Sequence, residues 1–165
     1  MARRLVLDAV DEDLPEVWSL TTSLDAVPTV FNLNACLDWN LARRADLVRS
    51  RPEALYHHAI YRGSDGYRTT SMIWNAPHHA NWAQSASDGL FGEIEADPSS
   101  AVIVARPRGI KAFLTFYPPL SSQEIVGLQQ KLLGVPGLLG HNPRTSLTPT
   151  EHAIFVLDPL KDSEL

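Results

Sequence analysis

Histidine holds divalent metals and moves protons near neutral pH, and four of the six histidines here fall in two adjacent pairs, His57-His58 and His78-His79. Imidazoles beside carboxylates suit zinc or another borderline ion. A metal-dependent site would therefore be built from His57, His78 and His79 with Glu93, or with Glu95. His57 and His58 sit in a run that reads as a strand, where successive side chains point to opposite faces, so these two cannot chelate one ion from the same side. Nothing in the spacing demands a metal. Exposed or hydrogen-bonded histidines are the favoured reading, and no cofactor is expected.

Other chemistry has less support. The chain has no phosphate-cradling glycine loop, no dinucleotide-binding glycine motif, no Cys-x-x-Cys pair, no His-Glu-x-x-His helix and no Gly-x-Ser-x-Gly elbow. Cys36 falls on the apolar stripe of a helix and reads as a small buried hydrophobe rather than a nucleophile. Asn32 and Asn34 point about 200° apart on that helix and do not act as one unit. Trp18, Trp39 and Trp74 are core candidates, while Trp82 lies in a polar loop where an aromatic can anchor a partner. Phe91 in the same loop, with Arg106 and Arg108 in the turn that follows it, completes the set of expected partner or ligand contacts. Arg43, Arg44, Arg49 and Arg51 form a basic cluster beside Asp46 and Glu53, read as a solvated face between two elements.

The bulk properties bound the function. Fourteen Lys and Arg against nineteen Asp and Glu leave a net charge of −5, which argues against broad phosphate-backbone binding, so no nucleic acid is expected. No apolar run approaches the roughly 18–20 residues that cross a bilayer, so no membrane association is expected. The lone cysteine and an opening that meets Asp8 before any apolar run predict a cytoplasmic protein. With 165 residues, 44% of them hydrophobic, the chain reads as one domain over 1–160 with a frayed tail over 161–165.

The elements that must position these residues follow from patterning. Residues 4–10 and 16–23 read as strands around an acidic turn, and Pro28 with Val30, Leu33 and Leu37 predicts a helix whose stripe Phe31 and Cys36 widen. Residues 54–62 and 67–75 form a hairpin around Gly63-Ser64-Asp65-Gly66. Residues 76–100 read as one long loop, pinned by a short helix over 90–94. A second hairpin is expected from 101–105 and 110–117 across Pro107 and Gly109. Ser121 to Glu124 match a capping box ahead of a helix on which Ile125, Leu128 and Leu132 share a face, with Gly134 ending it. Residues 137–141 and 153–157 read as late strands. The order suits an α+β fold: a mostly antiparallel sheet with two main helices packed on one face, as a ferredoxin-like sandwich or a duplicated variant of it.

Several phrases resemble the IPExxxVDY family, small bacterial proteins of uncharacterised function. Phe31 to Leu37, followed by Leu41, Arg43 and Asp46-Leu47, is similar to the family's Leu-Asn helix and the basic stretch after it. Ile73-Trp74-Asn75 is similar to its strand ending in Asn before a variable loop. Residues 122–135 with Pro136-Gly137 resemble its closing helix and exit, and Leu147 with 151–155 its last strand. The naming motif is degenerate: Val104-Ala105-Arg106 stands for Ile-Pro-Glu, and Ile110-Lys111-Ala112 for Val-Asp-Tyr, which turns two acidic positions basic. The resemblance implies no activity. A non-enzymatic interaction or regulatory module, with a protein partner or a second copy of the chain, is the leading expectation. The alternatives are a small-molecule-sensing domain and a metal-dependent enzyme built around 76–100.

Overall fold

The computed structural model describes residues 14–82, 101–143 and 145–156. The expected strand at 4–10, the acidic turn, the helix at 90–94, Phe91, Glu93, Glu95, the 161–165 tail and the side chain of Trp82 lie outside the described residues. The elements are β1 (Glu16–Thr22), α1 (Ala26–Leu37), β2 (Ala42–Ser50), β3 (Ala54–Ser64), β4 (Thr69–Trp74), β5 (His79–Trp82), β6 (Ala112–Tyr117), α2 (Ser122–Leu132), β7 (Leu138–Asn142) and α3 (Pro149–Ile154). The strands form one seven-stranded sheet in the order β2-β3-β4-β6-β1-β7, with β5 also paired to β3. Every pairing is antiparallel. Because β2 pairs along nearly the whole of β3, β4 and β5 share the other edge of β3 in succession.

The period-2 alternation of the strands sorts the core into two layers. Trp18, Leu20, Ala59, Tyr61, Met72, Leu114 and Phe116 face the stripe of α1 (Val30, Leu33, Leu37) and that of α2 (Leu128, Leu132). Their immediate neighbours Val17, Ile60, Ile73 and Phe113 face the other way, onto Ile103, Val104, Ile110 and Phe155. Each fully buried side chain of this size contributes about 1.5–3 kcal/mol over its exposed state. The two main helices therefore share one face, as expected, and α3 closes the second.

Local signals account for most element ends. In α2 the Ser121 side chain accepts from the Glu124 N–H while Glu124 accepts from the Ser121 N–H, the reciprocal cap anticipated from sequence. Gly137, at φ +79°, turns the chain into β7 in a conformation that a side chain rarely adopts. Its carbonyl ties the turn to β1 by accepting from Ser23 N–H at 2.9 Å and Thr22 Oγ1 at 3.0 Å.

Five expectations are corrected. Residues 101–105 are not a strand: β1 and β4 already occupy both edges of β6, so this segment crosses the back of the sheet and buries Ala101, Ile103 and Val104. Residues 153–157 are not a strand either, because Thr148 and Glu151 form a capping box, Pro149 occupies the first turn, and α3 results. The supposed loop after Asn75 includes strand β5. The basic cluster is itself strand β2, made at the sheet's edge with Arg43, Arg44 and Arg49 in it. Phe31 and Cys36 are exposed, since each stands about 100° around the helix from Val30 or Leu37 and so falls outside the stripe. Among the described residues, no helix is long and apolar enough to cross a membrane.

Candidate functional site: an imidazole and carboxylate cluster on the β2–β3–β5 wing

The sheet extends past its core into a wing of β2, β3 and β5, and a bulge organises it. Between Arg44, opposite Ile60, and Leu47, opposite His58, two residues of β2 stand against the single Ala59. The extra residue restarts the alternation, so Leu47 turns to the back core while Asp46 reaches the face that carries His57. Val48, His57 and His79 then lie directly opposite one another across three strands, with Ser50, Leu55 and Asn81 as the next row. Val48 and Leu55 are exposed on this face.

Asp46 is the hub. Its carboxylate takes an ion pair from the Arg43 guanidinium, three residues earlier. Its Oδ2 accepts from His78 Nε2 at 2.8 Å and lies 3.6 Å from His57 Nδ1. Asn81 Nδ2 donates to His57 Nε2 at 3.1 Å, so that nitrogen bears the lone pair and the His57 proton sits on Nδ1, facing Asp46. His79 Nε2 donates to Asn81 Oδ1 at 2.7 Å, and the His57 and His79 rings are 5.4 Å apart. Arg43 is held in place by the Tyr61 ring, 5.5 Å from its guanidinium carbon, and by the Ile60 carbonyl at 3.3 Å. Partial burial pushes the Asp46 carboxyl up, but the hydrogen bonds and charges of Arg43 and His78 outweigh it and hold the carboxyl below its usual range.

This arrangement orders protons rather than metal-binding lone pairs. His57 and His78 both present N–H groups to one carboxylate oxygen, and the free nitrogen of His57 is taken by Asn81. Among the described residues no set of three or more His, Cys, Asp or Glu is arranged to hold a metal ion. Asp46 with His78 reproduces the base-and-orienter half of a catalytic triad, but no Ser, Thr or Cys among the described residues hydrogen-bonds to either imidazole. The cluster suits a recognition surface with fixed donors.

The structure thus brings together His57, His78 and His79 and adds Asp46, Arg43 and Asn81. Asp46 stands in sequence beside the basic cluster, but only the bulge gives it a role. Asn81 carried no signal. His58 is separated from the cluster by alternation: it is fully buried on the opposite face and its Nδ1 donates to the Trp74 carbonyl at 3.2 Å. Arg106 and Arg108 are exposed in the turn before β6, and neither makes a hydrogen bond or ion pair among the described residues. No family model, no curated protein and no solved structure matches this chain.

Proposed function

We propose that the protein is a non-enzymatic interaction module whose partner, a second protein, docks on the β2–β3–β5 wing. The carrying observation is the network centred on Asp46, which holds a guanidinium, three imidazoles and an amide in set orientations on a face where Val48 and Leu55 are exposed. Preset polar donors beside apolar side chains are what a partner surface needs, because little rotamer freedom is lost on binding. Among the described residues the outer strands β2 and β7 each sit at a bulge, at Arg44/Leu47 and opposite Thr21/Thr22, which resists strand addition there, while the short β5 keeps a regular register. That favours a partner on the face over a second copy paired edge to edge.

The reading places the wing outside a ferredoxin-like sandwich. The order β7-β1-β6-β4, with α1 leaving β1, α2 joining β6 to β7, and both helices on one face, supports such a core. The β2–β3 pair is then an insertion between α1 and β4 that carries the cluster. Assignment to the IPExxxVDY family and to the cytoplasm are likewise proposals. Asn75, at the end of β4, and the single exposed thiol of Cys36 support them respectively.

The test is affinity capture from extract of the source cells with the wild-type chain, Val48→Glu and Asp46→Lys, all checked for equal Tm. A protein recovered by the wild type and lost with both variants is the expected result. Equal recovery of every protein by all three baits removes the proposal.

A further inference from the structure

On the helix side of the sheet, α2 and the β3–β4 turn flank an open groove of about 270 Å³ whose lining includes Trp39, Phe116, Leu120, Gly127, Leu128 and Lys131. Three observations set its chemistry. The first is Gly127, in the interior of α2. Glycine there costs about 1 kcal/mol relative to alanine. Nothing among the described residues explains it: Gly127 is not among the residues with positive φ, and a Cβ built on it meets no described atom within 4 Å. The bare backbone leaves room over the groove floor that no other described residue fills.

The second is the floor. Phe116 and Leu128 are core residues, and the partly buried Trp39 lies edge-on to Phe116 with ring centroids 6.1 Å apart. Phe116 and Leu128 are buried, so the groove meets only their edges beside the half-buried Trp39, in a space just under the usual range for drug-like ligands.

The third is the placement of charge. At the N-terminal end of α2, Arg68 is consumed: it bonds both Glu124 oxygens, at 2.7 and 3.2 Å, and the carbonyls of Pro118 and Pro119. Glu124 is held down to about 2 by that guanidinium and by Ser121, and stays an anion. Asp65, also at this end, accepts from the Tyr67 and Arg68 N–H groups. Lys131 is different. It lies seven residues, about 10 Å, further along the helix, and its ammonium has no hydrogen bond or ion pair among the described residues. Being four residues after Gly127 it shares that face of the helix and lines the same groove.

We propose that this groove binds a small amphipathic monocarboxylate, an aryl-acetic or medium-chain acyl acid. The carboxylate is taken by Lys131, and the apolar body lies over Gly127 against Phe116, Leu120 and Leu128. The polarity follows from the charges: the head group sits at the Lys131 ammonium and the apolar end approaches Glu124 and Asp65.

The experiment titrates the wild-type protein, Gly127→Leu and Lys131→Gln with phenylacetate, octanoate and the corresponding primary amides, by amide NMR shifts and by Tm. Gly127→Leu fills the groove with a better helix former, so it retains or raises the Tm of the free protein and abolishes binding. Lys131→Gln weakens carboxylate binding tenfold or more, the loss expected for one charge-assisted hydrogen bond, and removes the preference for acid over amide. The proposal is overturned if the wild type shows no saturable shifts around the groove at millimolar acid. Amides binding as well as acids, or Gly127→Leu binding as the wild type does, would overturn it equally.

Discussion

His58 makes stability depend on pH in a way that one substitution isolates. Its imidazole has no exposed surface, and Nε2 finds no hydrogen-bond partner among the described residues. Burial, aided by the charge of Arg49, pushes the pKa down from 6.5 to about 4, against the opposing pull of the Trp74 carbonyl. A folded-state pKa below the unfolded one means that the unfolded chain takes up the proton first as pH falls. Stability is therefore complete above pH 6.5, declines between 6.5 and about 4, and levels off below. The full separation corresponds to about 3 kcal/mol, of which about 1 kcal/mol is already lost at pH 5.5. His58→Asn keeps an N–H for the Trp74 carbonyl, removes the titration and leaves a smaller side chain, at a cost of about 1–2 kcal/mol at pH 7.5. Urea unfolding of both proteins at half-unit steps from pH 7.5 to 4.5 should show the gap closing as pH falls. By pH 4.5 the variant should equal or exceed the wild type. Parallel curves across that range would show that His58 is not held neutral by burial.

Two further substitutions test the joints between elements. Asn75 is buried, and its side chain donates to the carbonyls of Val104 and Ile110 at 3.1 and 2.9 Å while accepting from the Val104 N–H at 3.0 Å. Asn75→Ala leaves these backbone groups unsatisfied and should cost about 2–4 kcal/mol in chemical denaturation. A loss under about 1 kcal/mol would mean that water replaces the amide. Gly137→Ala should lower stability by about 1–2 kcal/mol, because φ is +79° and the new methyl would run into the Leu24 side chain. An unchanged Tm would refute the strain.

How much of this was legible in the sequence depended on how local the cause was. Ser121 and Glu124 announce α2 because a cap is a contact between residues three apart, and the stripe of Val30, Leu33 and Leu37 announces α1 for the same reason. Residues 101–105 misled because β-branched residues fit any buried extended segment. Whether such a segment joins a sheet depends on a free edge, and β6 had none. Thr148-Pro149 and Glu151 did carry the signal for α3, and the apolar run after them obscured it.

By itself the sequence determined the α+β class, the two amphipathic helices, the central hairpin and the opposite facing of His57 and His58, since each rests on periodicity or on contacts a few residues long. The meeting of His57 and His78 at Asp46, with His79 joined to them through Asn81, came from the tertiary fold alone. That meeting needs a one-residue bulge in β2 and the registry of β2 and β5 against β3, over a separation of 32 residues between Asp46 and His78. The groove beside Gly127 arose in the same way, from how α2 settles on the sheet next to the distant β3–β4 turn.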